Sequence, residues 1–326
     1  MNADFSWEKS RKLDIALEAG LFQDRIRLTA DWFNNVSSGQ LVGYPLSAVT
    51  GQAQIQYNLP AKVRNSGWEF EVQTQYLRRT SLQWSGTINL TIPKNKLIDY
   101  PGLQGSSYAN TYAIGEPLSI RKTYEYLGVD PASGTYRFKD TDNGGSFNAL
   151  DRTAIVFTGQ RFFGGLGNTV RYQGLELDVF FQFVKQTGAN YRRDVFGLPG
   201  AWGLNNSNQP ADVLDRWQKT GDLTSNQKFS QNYAISNPVY KQFTEARSYG
   251  ENSYSDASFI RLKNVSLSWR VPLRTSAKAG LVGPRIFIQA QNVLTFTRYK
   301  GWDPEQASVG YLPPLRVLSA GINQVF

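Results

Sequence analysis

The 326-residue chain has no cysteine and no histidine. The first absence rules out a disulfide framework, a zinc-thiolate centre and a cysteine nucleophile. The second removes the commonest general base and the commonest transition-metal ligand, which lowers the expectation of an enzyme. No nucleophile-base pair or paired-carboxylate constellation stands out to offset that loss. Long apolar runs are also missing: nothing approaches the roughly 18 residues of a membrane helix, and the mean hydropathy is −0.41. The first ten residues, Met1 to Ser10, lack the basic, apolar and small-residue regions of a secretory leader.

Aromatic residues, by contrast, are plentiful, with eight Trp, seventeen Tyr and nineteen Phe. The formal charge is +9, from 35 Lys and Arg against 26 Asp and Glu. A basic balance can signal nucleic acid. Here the cations are scattered singly or in pairs such as Arg78-Arg79 and Arg192-Arg193, which reads as solvated turns and loops, so no nucleic-acid partner is expected.

The organising pattern is a period of two. Trp68, Phe70, Val72 and Tyr76 alternate with Glu69, Glu71, Gln73 and Gln75; after Arg78-Arg79-Thr80-Ser81, Leu82, Trp84, Ile88, Leu90 and Ile92 alternate with Gln83, Ser85, Thr87, Asn89 and Thr91. Strict alternation of this kind is a strand with one apolar face, and two such runs across a short break form an antiparallel hairpin. Each arm has about ten to twelve residues, near the 9–11 that a tilted strand needs to cross a bilayer. A soluble sheet packed on one face would alternate in the same way.

The pattern recurs along the chain. Leu13, Ile15, Leu17, Ala19 and Leu21 lead through a tight turn at Phe22-Gln-Asp-Arg25 to Ile26, Leu28, Ala30 and Trp32. Residues 34–64 read as a long connection, and 93–115 as irregular. One strand is expected over 118–127, two over 162–171 and 175–184, and three over 258–271, 285–296 and 315–326. The spacing thus predicts roughly ten antiparallel strands, with tight turns at one end of the sheet and long loops at the other, as in a transmembrane β-barrel. The last strand ends on the aromatic Phe326, in phase with Leu318, Ala320 and Ile322.

Two loops carry candidate sites. Asp140, Asp142 and Asp151 fall at positions 1, 3 and 12 of a calcium-loop template, with Gly145 at the turn-forming sixth place. Gly144 and Asp151 depart from the template at places 5 and 12, and the alternative is an Asx/Gly-rich turn without metal. Residues 187–256 hold no convincing strand but do hold Trp202, Trp217, Tyr233 and Tyr240, aromatic faces on which sugar rings or peptide side chains can stack. A loop of this length is usually functional or disordered, and its aromatic content argues against disorder.

Several phrases resemble the SusC/RagA-type TonB-dependent transporters of Bacteroidetes. They include Ser6-Trp-Glu-Lys-Ser-Arg-Lys-Leu13, Arg25-Ile-Arg-Leu-Thr-Ala-Asp-Trp-Phe-Asn34, Val63-Arg-Asn-Ser-Gly-Trp-Glu-Phe-Glu71 and Phe138-Lys-Asp-Thr-Asp-Asn-Gly-Gly145. Asp151-Arg-Thr153, Ser258-Phe-Ile-Arg-Leu-Lys-Asn264 and Tyr299-Lys-Gly-Trp-Asp-Pro-Glu305 complete the series in family order. The resemblance implies an all-β chain supplying the later strands of a 22-stranded outer-membrane barrel, with residues 1–326 as one barrel portion and with the leader, plug domain and TonB-contacting segment outside it. It further implies import of oligosaccharides or peptides with a SusD-like surface lipoprotein and the TonB machinery, apolar faces on lipid, and Glu69, Glu71, Gln73, Gln75, Glu176 and Asp178 toward the lumen. Trp32, Trp68, Tyr76 and Trp84 would belong to interfacial girdles. The competing reading is a soluble all-β glycan-binding or structural module without transport.

Overall fold

The computed structural model describes residues 5–45, 48–194, 209–272, 283–308 and 310–324. In chain order the strands are β1 (Lys9–Leu21), β2 (Ile26–Ser38), a small hairpin of β3 (Leu41–Pro45) and β4 (Gln54–Asn58), and the long pair β5 (Lys62–Arg78) and β6 (Leu82–Asp99). Short strands β7 (Ile120–Thr123), β8 (Tyr126–Val129), β9 (Tyr136–Phe138) and β10 (Ala154–Phe157) precede β11 (Gln160–Tyr172) and β12 (Leu175–Ala189). Two helices, α1 (Tyr191–Asp194) and α2 (Pro238–Tyr249), come before β13 (Tyr254–Asp256), β14 (Phe259–Arg270), β15 (Arg285–Thr297) and β16 (Val317–Asn323).

Nine long strands form one sheet in the order β1-β2-β5-β6-β11-β12-β14-β15-β16, with β13 adding to β12 as the tenth. Every long-strand neighbour is antiparallel. The sheet is therefore an up-and-down meander, and the connections alternate between its two ends. One end has the turns at 22–25, 79–81 and 173–174 and the link from β14 to β15, of which residues 273–282 lie outside the described ones; the other has the connections 39–61, 100–159, 190–258 and 298–316. In the first turn Phe22, Gln23 and Asp24 take positive φ of 53°, 58° and 61°, the left-handed conformation that reverses a chain in very few residues.

Register makes the alternation continuous. Directly paired residues share a face, and one row runs from Leu17 through Ala30, Phe70, Leu90, Gly164, Phe183 and Ile260 to Phe296. The adjacent row runs from Glu18 through Thr29, Glu71, Asn89, Gly165, Gln182 and Arg261 to Thr295. A slip of one residue in any strand would interchange these faces. The apolar face is uncovered: Leu17 is 63% exposed, Ile288 52% and Leu267 47%. Strands such as β1 and β15 have 13 residues; at about 3.3 Å per residue and a tilt of about 40°, each spans roughly 33 Å, enough for an apolar band about 25 Å tall. Together these features form the wall of an antiparallel transmembrane β-barrel.

Aromatic residues cluster toward both ends of the band. Trp32 lies opposite Trp68, whose ring stacks on Phe70 at 5.8 Å. Toward the tight turns, Tyr76 and Trp84 meet at 4.7 Å, and Trp84 is the third residue of β6, near the strand end rather than inside the band.

Three sequence expectations need correction. The stretch from Pro93 onward is not irregular, because β6 continues through Pro93 to Asp99. Proline removes a ladder donor and is tolerated on an edge; the pairing of β6 with β11 ends at Thr91, so at Pro93 β5 is the one neighbouring strand, and on the side away from β5 the backbone bonds resume at Leu97, with residues 115 and 116. The single strand expected over 118–127 is two strands, β7 paired with β10 and β8 with β9. Residues 187–256 hold the end of β12, helix α2 and strand β13 rather than irregular chain alone. Phe326 lies outside the described residues, as does Trp202.

Candidate functional site

The functional geometry lies at the long-loop end. The connection 100–159 and the described part of 190–258 interlock into one body. Tyr124 donates its backbone N–H to the Tyr249 carbonyl at 2.8 Å and accepts from the Glu251 N–H at 3.2 Å. The Trp217 indole N–H reaches the Pro131 carbonyl at 2.9 Å. The Gln227 side chain accepts from the Tyr136 N–H and donates to the Val239 carbonyl at 2.8 Å. Around these bonds Tyr124, Phe138, Val213, Val239, Phe243 and Ala246 form a buried core. Burial pushes the Tyr124 hydroxyl up to about 12, against the lowering effect of its bond to Arg152.

Helix α2 supplies much of that core because Val239, Phe243 and Ala246 recur at helical spacing on one face. Its start is fixed by Pro238 in the first turn and by the Asn237 side chain, which accepts the Val239 N–H. Sequence reasoning missed the helix, although Asn-Pro followed by that spacing was the signal.

The loop aromatics divide. Trp217 packs on the core and lies over Gly134, whose φ of +72° needs glycine and whose missing Cβ makes room for the indole. Its role is therefore to join two loops. Tyr240 is half-buried against the core and meets Tyr233 edge-on at 5.8 Å, leaving this pair at the surface of the body.

The three aspartates converge: Asp140, Asp142 and Asp151 each offer an oxygen within 4.8 Å of the others. Asp151 is fully buried and accepts N–H bonds from Thr141 at 2.8 Å and Asn148 at 3.0 Å. Asp140 accepts from the Gly144 and Gly145 N–H groups. Asp142 accepts from the Gly144 N–H and from the Asn148 side chain at 2.8 Å; those bonds, the Asn148 one first, hold its carboxyl below the usual carboxylate range. Asn148, the ninth residue of the loop, was not singled out from sequence. Immediately after Asp151, the Arg152 guanidinium stacks 3.4 Å from the Tyr249 ring centroid, so the aspartate loop abuts the joint between the two connections.

A second cluster joins phrases that the sequence had left separate. Arg261, 1% exposed, projects from the polar face of β14 and pairs with Asp303 and, at 2.6 Å, with Glu305. Thr295 accepts from its Nε at 3.0 Å, its guanidinium lies 5.2 Å from the Phe259 ring, and Lys263 reaches Glu305 at 3.2 Å. The Gln186 side chain donates to the Pro304 carbonyl at 2.7 Å, and Tyr299 donates its hydroxyl to Ala189 at 2.6 Å. Residues 299–305 are thus strapped against the polar face of β12 and β14. On the same face lie Glu69, Glu71, Gln73, Glu176 and Asp178, with Gln73 bonding Glu71 at 2.6 Å and Asp178 bonding Thr169 at 2.7 Å.

No protein-family profile matches the chain. It is 27% identical to TonB-dependent receptor P3 of Formosa agariphila over all of this chain and 35% of that protein. It is 22% identical to TonB-dependent receptor SusC of Bacteroides thetaiotaomicron over 94% of this chain and 30% of that one. Among solved structures, the RagAB peptide transporter superposes with a TM-score of 0.80 at 24% identity over 98% of this chain and 35% of the matched one. The closed-closed state of the RagAB peptide importer gives 0.77. The chain spans about a third of the length of these relatives. The resemblance to SusC/RagA-type TonB-dependent transporters and the barrel-wall fold are upheld, and with them the outer membrane as the chain's location. These relatives are receptors and transporters by name.

Proposed function

We propose that the chain forms part of the barrel wall and external surface of a TonB-dependent importer, taking up oligosaccharides or peptides too large for porins. The observation that carries this reading is the uncovered apolar face, continuous in register from β1 to β15, set on a chain that matches such receptors along its whole length. A soluble glycan-binding module would have to bury that face. Residues 1–326 would supply the later strands of a 22-stranded barrel. A plug domain would sit against the polar face, and a SusD-like lipoprotein and the TonB machinery would be the partners. The interlocked body of the two long connections would meet substrate from outside, with Tyr233 and Tyr240 offering ring faces to sugars or apolar side chains. No residue here is assigned a catalytic role.

The aspartate loop would bind calcium. Three converging carboxylates suit a hard cation with oxygen ligands, and each carboxylate has about four lone-pair sites, so the loop's own N–H bonds leave acceptors free. The ion would brace the joint between the connections rather than touch substrate.

Removal of the gene from its host, followed by restoration, tests the reading. Growth on one class of oligosaccharide or peptide should be lost and regained. Unchanged uptake of every oligosaccharide and peptide supplied would contradict it.

A further inference from the structure

At the tight-turn end the polar face changes character. One register row reads Arg78, Gln83, Arg171, Glu176, Ser268, and Arg270 lies opposite Arg285 two residues further along. Four arginines therefore share one face and one rim, and Glu176 is the one carboxylate in their two rows. Glu176 already serves two of them, at 2.7 Å from Arg171 and 3.3 Å from Arg285, and Arg285 also bonds the buried Ser268 at 3.0 Å. Among the described residues, Arg78 and Arg270 have no carboxylate within ion-pair distance. A cleft of about 510 Å³ opens between the row and the turn at 173–174, lined by Arg171, Arg270 and Arg285 with Gln83 and Ser268.

We propose that this rim is a docking site for an acidic polypeptide segment lying against the inner face of the wall. Charge complementarity points to carboxylates, because the rim has an excess of guanidinium groups that present paired donors matching a carboxylate. Position argues against lipid phosphate. The four arginines lie on the polar face, whereas headgroups meet the apolar face on the other side of the same strands. The inference rests on the wall reading above, which decides which face is inner.

The test uses hexaglutamate, with hexaglutamine and inorganic phosphate as comparisons, on the purified chain in lipid-detergent mixtures at low salt. Hexaglutamate should bind at least about tenfold tighter than hexaglutamine, the ratio that 1.4 kcal/mol gives. The pair Arg78→Gln with Arg270→Gln, which breaks no ion pair, should remove most of that preference. Lys94→Gln with Lys96→Gln, an equal loss of charge toward the other end, should leave it within about twofold, given the screening of exposed charges. Equal binding of the two peptides, equal loss in the lysine pair, or displacement by millimolar phosphate would overturn the proposal. Flotation of the same samples with vesicles separates the outcomes: a chain that floats yet ignores hexaglutamate sinks this inference and leaves the wall reading intact.

Discussion

The Arg261 cluster gives the sharpest energetic prediction. Replacing Arg261 with Met keeps the aliphatic stem of the side chain and removes its charge, leaving Asp303 with its side chain 8% exposed and without its cation. Removing one partner of a buried pair typically costs about 3–5 kcal/mol, because the remaining charge is stranded. Glu305 adds little to that figure: its side chain is 32% exposed and it keeps Lys263. The strap over residues 299–305 should therefore open more than about a hundredfold more often, since each 1.4 kcal/mol is a factor of ten. Amide exchange read at 299–307 and in the strand ends of β12 reports that opening. Asp303→Leu in the Arg261→Met background should recover a large part of the loss, because an apolar pair of similar volume avoids the stranded charge. The exposed pair Lys62–Asp99, 3.2 Å apart with side chains 56% and 44% exposed, is the internal standard, worth about 0–1 kcal/mol. If Arg261→Met costs no more than Lys62→Met, the strap is held by something else and the reasoning fails.

Other expectations follow from the same geometry. Leu267→Arg, on the apolar face, should cost about 2–4 kcal/mol of stability in bilayers, and Ser266→Arg on the polar face far less; equal costs in refolding titrations would mean that the faces are misassigned. Trp217→Ala should loosen both interlocked connections together, raising protease cleavage in 124–139 as well as in 209–230, whereas cleavage confined to the second would show that the indole joins nothing. The bonds to Asp142 hold its carboxyl below its unfolded value, so their contribution is present at neutral pH and is lost as pH falls through and below the ordinary carboxylate range; the protection of the Gly144 amide, taken relative to its intrinsic exchange rate at each pH, should fall in acid, and protection that instead falls toward alkaline pH would reverse the sign. Asp142→Ala should lower calcium carried by the protein in elemental analysis, and an unchanged content would remove the metal from the account.

The wall was legible in the sequence because a barrel strand exposes one face to lipid and one to water, and a period of two survives in Leu13 to Leu21 or Trp68 to Tyr76 without knowledge of the neighbours. Pro93 misled because a proline ends a strand only where its missing N–H is needed, and whether β11 reaches that far is a tertiary fact. The aspartates could be placed by spacing, since a twelve-residue loop is local chemistry. Arg261 and Asp303 could not, because 42 residues separate them and nothing local in either phrase demands the other. Trp217 was read as an open ring for ligand; only the packing of Pro131 and Gly134 beneath it shows that the ring is engaged.

One face of these nine strands meets lipid and the other does not. Nitroxide labels at Ile288 and Gln289, adjacent residues of β15 paired with Ala320 and Ser319, measure it directly in reconstituted vesicles. Ile288 should collide with oxygen dissolved in lipid and be shielded from a water-soluble nickel complex, with Gln289 showing the opposite preference. Equal access of the nickel complex to both positions, or the reverse order, would contradict it.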